Sequence, residues 1–219
     1  MLGMYFFLLA IFLSSFECLA IDISDFYLKM NVSTGGMKSK YHFDDEIEES
    51  GENVKFKSAH ILSAGVGFEF VENFRTELLL NYIAKAKHKI ISQYHPCTNS
   101  FSAFYPEINN VFQLSTNSIF KPYMSFGLGL VNGKYHLDIP QTKFYKALSV
   151  DKKFKSLSTS FGVGVSTQIG ESCFLDLGYK YTLFNKPIEN KYQLAGIDIQ
   201  EKFKSLRISS VQLGLRIKL

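Results

Sequence analysis

Hydrophobic and polar residues alternate with a period of two through most of this chain, and the pattern runs to its final residue. Successive side chains of a strand point to opposite faces. Val211, Leu213, Leu215, Ile217 and Leu219 therefore share one face of the last segment, and Gln212, Gly214, Arg216 and Lys218 share the other. The same rhythm predicts seven earlier strands. The first covers residues 25–32, with Phe26, Leu28, Met30 and Val32 opposed to Tyr27, Lys29 and Asn31. The second, 59–70, opposes Leu62, Ala64, Val66, Phe68 and Phe70 to Ser63, Gly65, Gly67 and Glu69. In the third, 75–85, Leu78, Leu80, Tyr82 and Ala84 face away from Glu77, Leu79, Asn81 and Ile83, while the fourth, 108–116, rests on Phe112 and Leu114. The fifth, 123–131, and sixth, 157–167, set Met124, Phe126, Leu128 and Leu130, then Phe161, Val163 and Val165, against serines and glycines. The seventh, 173–183, opposes Leu175, Leu177, Tyr179 and Tyr181 to Asp176, Gly178 and Lys180, and the eighth begins near Phe203. Its upper residues Leu206 and Ile208 fall out of parity with Val211 onward, which predicts a bulge or an extension above a membrane.

A strand at the very end of a chain leaves an open edge, a template for aggregation, unless it pairs with the first strand. Closure into a barrel removes that edge. The connections divide in the same sense: residues 71–74, 116–121 and 168–172 are tight, whereas 34–57, 86–102, 132–154 and 184–202 are long, polar and charged. Short turns on one side and long loops on the other mark a transmembrane barrel. A soluble barrel with its aliphatic face inward is the structural rival. The glycines favour the membrane form, because Gly65, Gly67, Gly127, Gly129, Gly162 and Gly164 all lie on the polar face. Exposed glycines would weaken a strand and pack nothing, whereas in a narrow lumen they make room for large polar side chains. The predicted fold is all-β, an eight-stranded antiparallel up-and-down transmembrane β-barrel occupying residues 21–219 as one domain. Trp is absent, so Phe and Tyr must supply the interfacial aromatics.

Residues 5–13 form an apolar run, too short for a spanning helix of roughly 20 residues and suited to the core of a signal peptide. Cleavage after Ala20 would put Cys18 and Ala20 at the two positions that need small side chains, giving a signal peptide at 1–20. Glu17 argues against lipidation of Cys18. Removing residues 1–20 takes away one of the 20 acidic residues and none of the 24 basic ones, so the net charge rises from +4 to +5. That excess, without a Lys/Arg-rich run, excludes a nucleic-acid footprint. The remaining cysteines, Cys97 and Cys173, are expected at opposite ends of the barrel, too far apart for a disulfide.

Arg75, Glu77 and Glu69 share the polar face at the short-turn end, with Asp176, Arg216 and Asp25 on that face at the same end. Glu69 and Arg75 are expected to be cross-strand neighbours. Such a set reads as a hydrogen-bonded plug of paired charges filling the lumen, or as a catalytic or conducting site. The Gly-x-Gly pairs lack the spacing of nucleotide-binding loops, so no cofactor is expected. His42, His60, His88, His95 and His136 are scattered, and only the His95-Pro96-Cys97 run carries local ligand chemistry, so no metal site is expected either. The first long loop is the most polarised, with Lys38 and Lys40 followed by Asp44, Asp45, Glu46, Glu48 and Glu49.

Several segments bear a family resemblance. Phe74-Arg75-Thr76-Glu77-Leu78 resembles the opening of strand three in opacity-protein-like surface antigens, which are small bacterial outer-membrane barrels. Lys121-Pro122-Tyr123-Met124-Ser125-Phe126-Gly127-Leu128-Gly129 is similar to their fifth strand, Leu175-Asp176-Leu177-Gly178-Tyr179-Lys180-Tyr181 to their seventh, and Leu213-Gly214-Leu215-Arg216 to their last. Gln212, Gly214, Ile217 and Leu219 resemble the C-terminal assembly signal of such barrels, with aliphatic residues where aromatics are usual. The resemblance implies a surface antigen in the outer membrane of a Gram-negative bacterium, monomeric and non-catalytic. Its partners would be outer-membrane lipid, the assembly machinery acting through the last strand, and a host or matrix ligand of adhesion met by the loops. A lipid-modifying outer-membrane enzyme and a purely structural barrel remain the alternatives.

Overall fold

The computed structural model describes residues 25–45, 48–71, 73–90, 97–141, 147–185, 188–194 and 197–219; the expected signal peptide lies outside them. Among these residues the chain forms β1 (Phe26–Asp45), β2 (Glu48–Val71), β3 (Phe74–Ile90), β4 (Cys97–Gln113), β5 (Phe120–Ile139), β6 (Leu148–Gln168), β7 (Cys173–Phe184), β8 (Ile188–Leu194) and β9 (Ile197–Lys218). Each strand pairs antiparallel with the next around the wall, and β9 closes on β1 from Tyr27↔Lys218 to Asp44↔Gln200. β7 pairs with the lower part of β9 and β8 with the upper part, so the two act as one interrupted strand of an eight-stranded closed barrel.

The aliphatic face points outward. Met30, Val32, Leu130 and Leu157 are 58–61% exposed, and Leu62, Leu78, Ile108, Phe126, Phe161, Leu177 and Leu213 share that surface on the other strands. An apolar band circling the whole molecule far exceeds the few hundred Å² that a soluble protein leaves bare. It is the lipid-facing belt of a transmembrane barrel, and the soluble rival is excluded.

The long polar segments differ from the expectation of loops. They continue the wall beyond the belt as paired strands: β1 and β2 stay paired to Asp45↔Glu48, with a register shift between Gly35 and Met37, and β5 and β6 to Ile139↔Leu148. On β5 the alternation continues past Val131 with the faces exchanged in character. Asn132, Lys134 and Asp138 point outward to water, while Val131, Tyr135, Leu137 and Ile139 are buried. Once the outside is aqueous rather than lipid, the apolar side must turn inward. The inversion also accounts for Leu206 and Ile208, which are buried alongside Ser210, Gly214 and Arg216. Pairing with β1 is continuous from Leu206 to Lys218, so the parity change is an extension and carries no bulge; the register shift lies higher, between Lys40 and Tyr41. The fourth strand begins at Cys97, well before the expected residue 108.

One seam interrupts the wall. β6 pairs with β7 only up to Ser158↔Phe184, and above that level it pairs with β5 alone, while β8 pairs only with β9.

Candidate functional site

The lumen has two storeys. In the lower one, alternation on β1, β3, β7 and β9 turns Lys29, Arg75, Glu77, Asp176 and Arg216 inward, and all five are at least 98% buried. Lys29 Nζ bridges Glu77 Oε1 at 2.7 Å and Asp176 Oδ2 at 3.1 Å. Arg75 lies 3.4 Å from Glu77 and 3.8 Å from Asp176, and Arg216 lies 4.0 Å from Asp176. Glu77 also accepts from the Tyr27 hydroxyl at 3.1 Å and from Asn109 Nδ2 at 2.8 Å. Arg75 donates to Gln113 Oε1 at 2.8 Å, and Arg216 stacks over Phe174 with 4.3 Å to the ring centre. Glu69 is the Cα partner of Arg75 across the β2–β3 ladder, but its carboxylate turns toward Arg216 (3.8 Å) and Lys218 (2.8 Å) at the lower mouth. Asp25 lies at that mouth too.

The network thus joins Glu69, Arg75, Glu77, Asp176 and Arg216, singled out from the sequence, with Lys29, Tyr27, Asn109, Gln113, Ser166 and Lys218. Lys29 and Tyr27 were visible on the polar face of the first strand, and their periodicity could have added them. Asn109 and Gln113 carry no sequence signal, since neither charge nor pattern distinguishes them from any polar strand residue. A second buried pair stands one step higher, where Glu107 Oε1 accepts from Lys180 Nζ and, at 3.1 Å, from Ser160 Oγ. Glu107 lies just ahead of the strand expected at 108–116, so the alternation read from the sequence does not include it.

Above these pairs the lumen is mainly apolar, with Ser39, Asn99 and Thr182 buried among apolar side chains. Met37, Ile61, Ile83, Phe101, Tyr105, Phe184, Leu206 and Ile208 form one buried cluster with Val131, Tyr135, Leu137 and Ile139. Phe101 packs on Phe154 and Phe184 with ring centres 5.6 Å and 6.0 Å apart, and Tyr105 meets Phe184 edge-on. Ion pairs below and rings above fill the bore at both levels. Glu77 is engaged at both oxygens, whereas Asp176 is held by ion pairs alone and Glu107 keeps one oxygen without a hydrogen-bond partner.

The two described histidines do not converge. His60 faces outward on β2, and His136 on β5 meets Asp151 of β6 at 2.7 Å, with β3 and β4 between the two histidines. The side chains of His42, His88 and His95 lie outside the described residues. Cys97 begins β4 opposite Ile90 and Cys173 begins β7 opposite Ile217, at opposite ends of the wall.

A closed antiparallel wall, an outward apolar belt and a filled polar-to-apolar lumen define a small integral barrel of the bacterial outer membrane. The chain belongs to the outer membrane protein beta-barrel domain family, whose model matches residues 6–217. Among solved structures it is similar to Neisserial surface protein A, at 16% identity and a TM-score of 0.51, over 89% of this chain and 97% of that one. OprG of Pseudomonas aeruginosa is similar over 87% of this chain and 96% of its own, with 11% identity and a TM-score of 0.54. AlkL in DMPC bilayers is similar over 89% and 91%, with 14% identity and a TM-score of 0.51. Identities this low speak for the fold alone. No curated protein matches the chain in sequence.

Proposed function

We propose that the protein is a non-catalytic surface antigen whose extended hairpins contact a host or matrix ligand. The observation that supports this most is the division of labour in the fold. The lumen is packed through both storeys, while the strands rise far beyond the belt. From Gly35 to Asp45, β1 adds eleven residues above the level of Val32, roughly 35 Å of strand at about 3.3 Å per residue. A rigid wall presenting variable tips is a recurrent way to position binding residues. The first hairpin sets Asp44 opposite Glu49 and Asp45 opposite Glu48 at its tip, an acidic end suited to a cationic partner. On this reading the chain is exported with cleavage after Ala20, is assembled through β9, and works as a monomer.

The test replaces residues 38–55 with a two-residue turn, leaving the belt and lumen intact. Beads coated with the refolded wild type should adhere to host cells or matrix proteins, and the trimmed barrel should not. Equal adhesion of both would remove the first hairpin from the reading. Adhesion by neither would leave a purely structural barrel as the better account.

A further inference from the structure

Beside the seam above Ser158 the outer wall carries a cluster of exposed lysines. Leu130 and Leu157 are Cα partners at the top of the belt on β5 and β6. The next outward pairs are Asn132↔Lys155 and Lys134↔Lys153, and all three lysines are exposed. Like charges directly opposite each other on one face of a sheet destabilise it. Among the described residues these lysines form no ion pair: Asp151, one outward position above Lys153, turns to His136 at 2.7 Å, and Asp138 sits two outward positions above Lys134.

A groove of about 520 Å³ lies beside these residues, lined by Leu130, Val131, Asn132, Lys155, Leu157 and Asn185. A second hollow of about 260 Å³, which shares Asn132 and Lys155 with the first, is lined by Lys134, Lys153 and Phe154. The groove lies where the β6–β7 ladder ends: beyond Ser158↔Phe184 the Asn185 N–H still donates to the Leu157 carbonyl at 3.0 Å, and among the described strands β6 then pairs with β5 alone. The groove therefore has an apolar floor at the membrane surface and a cationic rim just above. We infer that it holds a phosphate-bearing lipid of the outer leaflet, with the phosphate on Lys134, Lys153 and Lys155 and an acyl chain over Leu130 and Leu157. A free anion would use the rim and ignore the floor. A neutral lipid would use the floor and leave the opposed lysines uncompensated. Only a lipid carrying net negative charge satisfies both, and its phosphate lies at the height of the lysines by virtue of the belt below. The inference rests on the membrane placement alone and is independent of the adhesive reading.

The test uses the whole mature chain refolded in nonionic detergent, with native mass spectrometry reading bound lipid. The probes are lipid A, phosphatidylglycerol, phosphatidylcholine and inorganic phosphate. Wild type should retain one lipid A or phosphatidylglycerol in preference to phosphatidylcholine, and millimolar phosphate should not displace it. The triple variant K134Q/K153Q/K155Q should bind the anionic lipids on the order of a hundred-fold more weakly, at about five-fold per lysine near a membrane surface. Leu130→Asn should weaken the lipids while leaving the lysine rim unchanged. The charge-matched control K85Q/K87Q/K121Q alters exposed lysines remote from the groove and should change retention less than three-fold. An unheated, fast-migrating band certifies the fold of every variant. Equal losses in the control, equal retention of phosphatidylcholine, or displacement by phosphate would each overturn the site.

Discussion

Replacing Glu77 by Gln probes the lower lumen at its most connected point. The carboxylate receives Lys29 at 2.7 Å, Tyr27 at 3.1 Å, Asn109 at 2.8 Å and Arg75 at 3.4 Å. Gln fills almost the same volume, so packing is preserved and only charge is lost. Among the described residues Lys29 and Arg75 are then left with Asp176 as their one ion-pair partner, while Arg216 keeps Asp176 and Glu69; the three cations and Asp176 are at least 98% buried. Removing one partner of a buried ion pair costs about 3–5 kcal/mol, because the other charge remains desolvated. An exposed pair supplies the contrast. Asp151, 84% exposed beside His136, should lose less than about 1 kcal/mol on conversion to Asn. Both are measured by urea unfolding in detergent micelles, followed by the loss of the unheated gel form. The double variant E77Q/K29M removes the charge together with its nearest counter-charge. It should therefore be more stable than the sum of its single variants by at least about 1 kcal/mol. A loss below 1 kcal/mol for E77Q, or strict additivity in the double variant, would refute the claim that these charges act as one buried unit.

The unheated mature protein should migrate apart from the boiled form, since every wall strand is paired within a closed sheet; a single band with helical circular dichroism would contradict the barrel. A Cβ on Gly127 would collide with the Glu107 carboxylate and Ser160 Oγ, so Gly127→Phe should abolish the heat-resistant band, whereas Val163→Phe on the lipid face should fold normally. Reversed sensitivities would turn the barrel inside out. On intact cells a membrane-impermeant maleimide should label Cys97, at the hairpin end of the wall, and spare Cys173 at the short-turn end; labelling of Cys173 alone would invert the topology.

Side-chain alternation is local, and so the sequence by itself determined the strands of the belt, their lipid-facing side and the inward set Arg75, Glu77, Asp176 and Arg216. Each follows from counting in twos along a single segment. The spacing of short and long connections likewise determined the order of the wall, because neighbouring antiparallel strands need only a turn between them. The hairpins were less legible. Asn132, Lys134 and Asp138 made the region beyond Val131 look like a loop, although Val131, Tyr135, Leu137 and Ile139 continued the alternation on the opposite face.

Only the tertiary structure decided where that alternation changes meaning. A residue is apolar toward lipid below the surface and apolar toward the lumen above it, and no local window knows its own height in the membrane. Register decided the rest. Glu77 and Asp176 are brought within 3.1 Å of the Lys29 ammonium group from strands far apart in the chain, and Glu107 meets Lys180 across the bore. The seam beside Ser158 arises because β7 stops at Phe184 while β6 continues to Leu148, a difference in strand length that only the closed wall reveals. Such meetings depend on stagger around a closed cylinder, a property of all eight wall strands together and of no segment alone.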